Sequence, residues 1–390
     1  MEILYLSALA SKKLIADAHR KDPRFSGYAV QKFSRLLAEG MAQNGASVSV
    51  LSSFFLPSSG IIWHHKNEVA NNVHYKYISS LKIGAIRHIW IIVHCFVYVF
   101  LWGLFQKKNK AIICDVLNVS QCLGAVAAAR IIGLKRVGIV TDIPGMVPGK
   151  KISDIYKSKE VRVCMKYIPH FTHYVLLTKQ MNSIVNPKNK PYIIMEGLVD
   201  SRLEIPERNK KESKRIAIYA GGLREEYGLK LLVEGFLKAA VDNSELWIYG
   251  SGAYSEELHN YSQQFDSIKF FGVHPNEEIV ETEMSATLLI NPRPTKEELT
   301  QYSFPSKNME YMVSGTPVLT TILPGMPEEY YEYVYLFDQG ETIDGYASVI
   351  KRVLSLPEKE LKQKGKAARQ WVLDNKNNNK QSERILSFIN

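Results

Sequence analysis

The stretch YSFPSKNMEYMVSGTPVLTT, residues 302–321, sets one carboxylate, Glu310, one turn into a helix of barely two turns, between a loop and an apolar strand. Pro305-Ser306 is a helix-start signal with Ser306 as N-cap, so the N–H groups of Lys307, Asn308 and Met309 are expected to point out of the helix start. That arrangement suits an anion, a phosphate above all. Met309, Met312 and Val313 form a buried stripe at i, i+3 and i+4, whereas Glu310 shares a face with Ser306, Lys307 and Ser314. Gly315 ends the helix and Pro317 stops its continuation. A carboxylate this close to a bound phosphate is repelled by it, so its use is to accept hydrogen bonds from vicinal hydroxyls. The plain alternative is that Glu310 complements the helix dipole.

Other residues with chemistry to offer stand where strands run into loops. Gly221-Gly222 closes the run RIAIYAGG and permits close backbone approach to a phosphate. Asp115 and Asn118 in CDVLN, and Asp142 in TDIPG, fall at or near strand ends, where open parallel sheets carry their sites. Asp142 either positions an incoming hydroxyl or serves as a turn residue before Pro144. Gly27, between the first strand and the first helix, is a plain turn glycine or a point of close approach to a ligand. The ten histidines show no HxxxH or HExxH spacing, and no metal site is expected. Cys95, Cys114, Cys122 and Cys164 show no CxxC spacing and read as reduced, buried thiols.

Positioning these residues requires sheets. Strand-like and helix-like runs alternate along the whole chain, which predicts parallel sheets of βαβ units. In the first half the strands are expected at 2–7, 47–53, 74–79, 111–117, 136–142 and 172–178, and in the second at 215–222, 245–252, 268–272, 287–292 and 317–321. The charged, aperiodic segment ERNKKESKR, 207–215, reads as the linker between two domains, and the tail from about 341 as two or three polar helices with a break at DNKNNNK. With 390 residues, 46% of them apolar, the chain can bury two ordinary cores. Two doubly wound sheets place their ligand sites at the carboxyl ends of strands.

Charge is uneven. Residues 1–200 hold 26 Lys/Arg against 11 Asp/Glu, a net +15, while residues 201–390 come to −5. Such a half faces a polyanion or carries a Lys-rich solvated surface. No nucleic-acid motif accompanies it. The run IRHIWIIVHCFVYVFLWGLFQKKNK is apolar from 89 to 105 except His94, and lysines follow it. It reads as a buried connecting helix or as an interfacial helix with one face in lipid; a span would separate strand 74–79 from strand 111–117 across a bilayer. Its basic flanks favour an anionic membrane surface. MEILYLSALAS lacks a basic n-region, so it is expected to be a first core strand and no signal peptide, in a cytoplasmic chain.

The succession AGGLREEYGLKLLVEGF (220–236), IYGSG (248–252), FFGVHPNEEI (270–279), LLINPR (288–293) and FPSKNMEYMVSGTPVL (304–319) resembles the nucleotide-sugar domain of glycosyltransferase family 4 type enzymes with the GT-B fold. SGYAVQKFSRLLAEGMAQNGASVSVLSS (26–53) is similar to their first βαβ unit. The resemblance implies an α/β fold of two Rossmann-like doubly wound domains, 1–205 binding the acceptor and 206–375 the donor, with a terminal helix from about 376 to 390 packed back on the first. It implies a retaining, metal-independent transfer of sugar from a nucleoside diphosphate sugar, with UDP the family prior, to a hydroxyl of a lipid-linked or polysaccharide-precursor acceptor. No cofactor beyond that co-substrate is expected, and no nucleic-acid partner. The expected location is the cytoplasm, peripheral at the inner face of the cell membrane.

Carried over residue by residue, Glu310 would bind the ribose hydroxyls, and Pro305, Ser306 and Asn308 would lie with the amides that hold the diphosphate. Gly221, Gly222 and Gly250 would line the donor turn, and Gly272 and Val273 would contact the base. Three departures stand out. The acid usual eight positions before Glu310 is Tyr302, so Glu297 or Glu298 would have to reach the sugar. The usual phosphate cations are replaced by Gly222 and Tyr227, leaving Arg224 as first choice, Lys307 as second, and Lys230 and Arg293 as others. No His stands at a first-domain strand end, which leaves Asp142. A non-catalytic partner subunit and a nucleotide-sugar epimerase of the same fold are the alternatives.

Overall fold

The computed structural model describes residues 1–21, 29–55, 62–81, 83–105, 109–147, 151–203, 214–296 and 298–390. Contacts divide the chain into two compact units. Unit 1 comprises Met1–Met146, Lys151–Ser201 and Asn377–Asn390, and unit 2 chiefly Arg202–Lys376.

Unit 1 contains β1 Glu2–Ser7, β2 Ser47–Ser52, β3 Ile62–Trp63, β4 Glu68–Ala70, β5 Val73–Tyr77, β6 Ser80–Leu81, β7 Lys110–Asp115, β8 Lys135–Val140, β9 His173–Leu176 and β10 Tyr192–Ile194. Eight of these form one sheet in the order β10-β9-β8-β7-β1-β2-β5-β4, parallel except where β4 meets β5, and β3 pairs with β6. Its helices are α1 Lys12–Lys21, α2 Ala29–Gln43, α3 Gly84–Phe105, α4 Val119–Ile131, α5 Ile152–Ile155, α6 Lys159–Tyr167 and α7 Met181–Val185, completed by the chain's last helix. The strand order reverses between β1 and β7, so the gap beyond Ser7 and Asp115 is the topological switch point.

Unit 2 contains β11 Arg215–Gly222, β12 Ser244–Ser251, β13 Ile268–Gly272, β14 Leu288–Asn291, β15 Val318–Thr320 and β16 Tyr335–Leu336, in the order β13-β12-β11-β14-β15-β16. Around them lie α8 Leu229–Ala239, α9 Ser255–Gln264, α10 Asn276–Ser285, α11 Ser306–Ser314, α12 Ile343–Leu354 and α13 Glu358–Asn375, before α14 Asn378–Ile389 returns to unit 1. Here the order reverses between β11 and β14.

The strands form because their apolar runs are covered on both faces. Ile3, Tyr5, Val48, Val50, Ile113 and Val137 join one core, and Ala217, Leu246, Ile248, Leu288, Ile290 and Leu319 the other. Each large side chain removed from water contributes about 2 kcal/mol. The strands expected from sequence are all present, within two residues at most ends; β3, β4, β6, β10 and β16 are additional, each two or three residues long and too short to show a period. α14 seats on α2, where Ser382 Oγ donates to the Leu37 carbonyl at 3.0 Å and a Cβ on Gly40 would meet the Asn378 carbonyl oxygen at 2.3 Å. All four cysteines are buried free thiols.

Candidate functional site

In unit 2 the site is built where β11 ends. The β11–β14 ladder pairs Ala217 with Leu288 and Ile218 with Leu289, and no register partner follows. The Tyr311 hydroxyl takes over one turn further on, accepting from the Ala220 N–H at 2.9 Å and lying 3.2 Å from the Ala220 carbonyl. Tyr311 is wholly buried, so α11 is fixed directly to the end of the central strand.

A second anchor is Asn308. Its Oδ1 accepts from Asn291 Nδ2 at 2.7 Å, and its Nδ2 donates to Thr320 Oγ1 at 3.2 Å, tying the helix to the ends of β14 and β15. The Asn308 side chain is fully buried, and its N–H donates to the Pro305 carbonyl at 2.9 Å. Asn308 therefore holds the helix in place and presents no group outward. The start of α11 also corrects an expectation: the N-cap is Pro305, no side chain caps the helix, and Ser306 is the first helical residue. α12 and α14, by contrast, are capped by Thr342 and Asn377, which accept from the Gly345 and Lys380 N–H groups. The N–H groups of Ser306 and Lys307 take no hydrogen bond among the described residues, so two donors stand at the positive end of the helix. Gly315, with φ +82°, closes α11 as its sequence predicts.

Lys307 lies across the glycine turn. A Cβ on Gly221 would sit 2.7 Å from Lys307 Cε, and the ammonium rests 5.7 Å from the Tyr311 ring centre. Gly250, paired with Gly221, has φ +131°, and a Cβ there would fall 1.8 Å from the Gly221 carbonyl oxygen, so neither position admits a side chain without displacing its neighbour. Gly222 faces the Tyr227 ring, over which the Arg293 guanidinium lies at 4.9 Å. The Tyr219 hydroxyl donates to the Gly222 carbonyl at 2.8 Å and fixes the turn. Among the sequence candidates the structure thus brings together Gly221, Gly222, Gly250 and Lys307, with Arg293 beside them. Arg224 precedes the 3-10 turn Glu225–Tyr227 with an exposed side chain, and Lys230 is exposed on α8.

Glu310 is exposed one turn along α11. Behind it stands a carboxyl that sequence reasoning missed. Glu283, in the last turn of α10, is buried, and desolvation pushes its pKa up to about 7, against the attraction of Lys307 and with the repulsion of Glu310. Its signal in the sequence was a carboxylate four residues past Ile279 on a half-buried face. Its backbone carbonyl accepts from Thr316 Oγ1 at 2.7 Å, coupling α10 to the end of α11. Glu298 opens the 3-10 turn Glu298–Tyr302, half exposed beside Tyr302, whose hydroxyl pKa is raised by burial and by that carboxylate. Glu297 and Gly27 lie outside the described residues. Gly272 has φ +70° at the end of β13, and Val273 beyond it is exposed. Phe271 stacks on Tyr249 at 4.8 Å beside them.

In unit 1 the switch point holds an acid. Asp115 accepts from Ser7 Oγ at 3.4 Å, from Asn118 Nδ2 at 2.7 Å and from the Leu117 N–H at 3.1 Å. Burial pushes its pKa up to about 6, these hydrogen bonds lower it, and nearby Asp142 raises it. Asp142 itself is exposed, just past the end of β8.

Residues 200–371 match the family model described as glycosyl transferases group 1, somewhat under half of the chain. No curated protein matches by sequence. Among solved structures, the chain is similar to sucrose-phosphate synthase from Thermosynechococcus elongatus, at 14% identity and TM-score 0.67, covering 99% of this chain and 98% of that one. It is similar to Anabaena HepE in complex with UDP, at 12% identity and TM-score 0.62, covering 99% and 100%; HepE has also been solved with UDP-glucose. A third is the lipopolysaccharide outer core galactosyltransferase WaaB, at 14% identity and TM-score 0.58, covering 100% and 99%. The fold is GT-B, and the stretch that matches the group 1 model falls almost wholly in unit 2.

Proposed function

We propose that this chain, a glycosyltransferase by its group 1 domain and GT-B fold, binds a UDP-sugar in unit 2 and transfers the sugar to a hydroxyl of a lipid-linked or polysaccharide-precursor acceptor held by unit 1. The observation that carries the reading is the start of α11: two unpaired N–H groups, Lys307 laid over Gly221, and Glu310 exposed one turn further. Diphosphate and ribose hydroxyls would meet different parts of one short helix. The HepE complexes with UDP and UDP-glucose support the choice of base.

In the transfer the bond between the anomeric carbon and the diphosphate oxygen would break as the acceptor oxygen bonds to that carbon from the same face, and the hydroxyl proton would leave on the departing diphosphate. Negative charge grows on the departing diphosphate, and fixed donors there lower the barrier most. Lys307 and the helix amides supply them from the protein, the physical support for transfer without a divalent ion, and Arg293 is the next cation to hand. Retention at the anomeric carbon belongs to the same proposal. Asp142 would accept the acceptor hydroxyl's hydrogen bond beside Asp115. A lipid-linked acceptor would set the protein at the cytoplasmic face of the cell membrane.

A thermal-shift panel of nucleoside diphosphates and their sugars tests the donor half, because a ligand held by the native state raises the melting temperature by mass action. UDP is expected to raise it in the native chain and to lose most of that effect in Glu310→Ala. An equal shift in the variant would overturn the role of Glu310, and no shift with any nucleotide would overturn the reading. One observation favours a second reading, a non-catalytic partner subunit: the buried phenol of Tyr302 stands at the position where the family resemblance implies an acid. Turnover by the purified chain removes it.

A further inference from the structure

Only Ile91, Cys95 and Val99 of α3 are buried, all on one side. That side is taken up by α4, so closely that a Cβ on Gly124 would fall 2.1 Å from the Ile92 carbonyl oxygen. At about 100° per residue, Ile86, Ile89, Val93, Val97, Leu101 and Leu104 fall within an arc of about 120° centred opposite the buried residues. Each keeps 46–62% of its surface exposed, and Trp90 within the same arc keeps 49%. An apolar stripe running the length of a 22-residue helix exceeds what a soluble surface leaves bare without a partner.

Charge identifies the partner. Residues 69–114 contain Lys76, Lys82, Arg87, Lys107, Lys108 and Lys110 and no Asp or Glu. The Arg87 guanidinium lies over Phe55 at 5.4 Å, Lys76 over Tyr98 at 5.2 Å and Lys110 over Trp102 at 5.6 Å; Arg87 and Tyr98 lie on one flank of the stripe, and Trp102 on the side turned to the buried residues. Trp90 keeps its ring exposed while its Nε1 donates to the Ser79 carbonyl at 2.7 Å, an amphipathic residue at home in an interface. A span is disfavoured by connectivity: β5 before α3 and β7 after it belong to one sheet.

We infer that the outer face of α3 lies in the plane of an anionic phospholipid surface, with its apolar stripe in the acyl boundary and its basic flank among the headgroups. The helix is also oriented along unit 1. His88 Nδ1 lies 2.8 Å from Ser120 Oγ in the first turn of α4, two residues past Asn118, so the N-terminal end of α3 adjoins the Asp115 cluster. An acceptor anchored in that lipid would present its head at the strand ends; this last step rests on the transfer reading, whereas lipid binding does not.

The full chain is floated with vesicles of phosphatidylcholine containing phosphatidylglycerol and with phosphatidylcholine alone, and lipid-free chain is weighed by sedimentation velocity. Strong flotation with the anionic vesicles is expected, at least tenfold weaker with the neutral ones. Val93→Glu with Val97→Glu removes it at least tenfold with the melting temperature unchanged, and Arg87→Gln weakens it about fivefold. Ile89→Gln serves if the double variant fails to fold, with a severalfold loss expected. The inference is overturned if the native chain ignores anionic vesicles, or if the folded variants float as well as it does. It is also overturned if the native chain is a lipid-indifferent dimer that the double variant splits, or if it survives alkaline carbonate extraction as a spanning protein would. UDP thermal shifts on the same samples report the donor site separately, so either reading can fail alone.

Discussion

In unit 1 the strand order reverses between β1 and β7, and the side chains there are Ser7, Asp115 and Asn118; in unit 2 it reverses between β11 and β14, beside Gly221, Asn291 and the overlying Lys307. The first set centres on a carboxyl that Ser7 and Asn118 donate to, and the second offers a cation and amides. Net charge runs the other way, +15 over residues 1–200 and −5 over the rest. The difference teaches that net charge describes the outer surface, where α3 carries its basic flank, while a switch point takes the sign its own ligand requires. In the proposed transfer the second set would hold the nucleoside diphosphate and the first the acceptor hydroxyl.

The largest effect expected from breaking this contrast is on turnover. Lys307→Ala should lower kcat by a factor of about 100 or more, the loss typical of one donor to a developing oxyanion, with a smaller change in KM. Arg293→Ala should cost less, since its guanidinium is committed to the Tyr227 ring. If steady-state kinetics instead show Arg224→Ala as the most damaging change, the cation is the loop arginine and Lys307 merely covers the turn.

Each unit also buries a carboxyl whose pKa is raised chiefly by desolvation, Asp115 to about 6 and Glu283 to about 7. A carboxyl raised on folding contributes stability that is complete below its unfolded pKa near 4 and is lost as pH rises through the folded value. Asp115 should therefore remove about 3 kcal/mol between about pH 4 and pH 6, and Glu283 a similar amount up to about pH 7. Urea midpoints against pH should flatten in Asp115→Asn over the lower window and in Glu283→Gln over the upper one. A native slope retained in both variants would refute the assignment.

Glu310 and Asn308, two positions apart, separate binding from support. Glu310→Ala should weaken UDP binding by about 1.5–3 kcal/mol, the worth of hydrogen bonds to a charged group, and leave the melting temperature alone because the side chain is exposed. Asn308→Ala should lower stability by about 2 kcal/mol by orphaning its buried partners Asn291 and Thr320. Calorimetry and thermal melts on both variants would show any exchange of roles.

The sequence made the sheets legible because long apolar runs buried on both faces have no other use, and β11 and β13 end where their patterns end. The exposed place of Glu310 on a short helix was legible from the buried stripe and Gly315, although the cap expected at Ser306 is not there. Asn308 was not: it belongs to the same motif as Glu310, and only the neighbouring strand ends show that its amide faces inward. Tyr311 and Glu283 escaped for a related reason, since their roles depend on Ala220 and Lys307, 91 and 24 residues away in the chain. An interfacial face on α3 was one of three readings of the same hydropathy, beside a buried connecting helix and a span, and burial on α4 now identifies which residues stay outside.

The smallest expected effect tests the helix start itself. With Pro305 as N-cap, Ser306→Ala should alter stability by less than about 0.5 kcal/mol, whereas Thr342→Ala, which removes a real cap, should cost about 1 kcal/mol. Ser306→Pro is the sharper change. Proline is accommodated at the first helical position, and the preceding residue, at φ −72° and ψ 106°, already has the extended conformation a following proline demands. The substitution deletes one unpaired N–H and little else. The melting temperature should hold while UDP affinity falls by about 0.5–1.5 kcal/mol, the net worth of one hydrogen bond. Unchanged affinity would mean that the diphosphate lies on Lys307 and the glycine turn alone, and that the amide end of α11 takes no part in holding it.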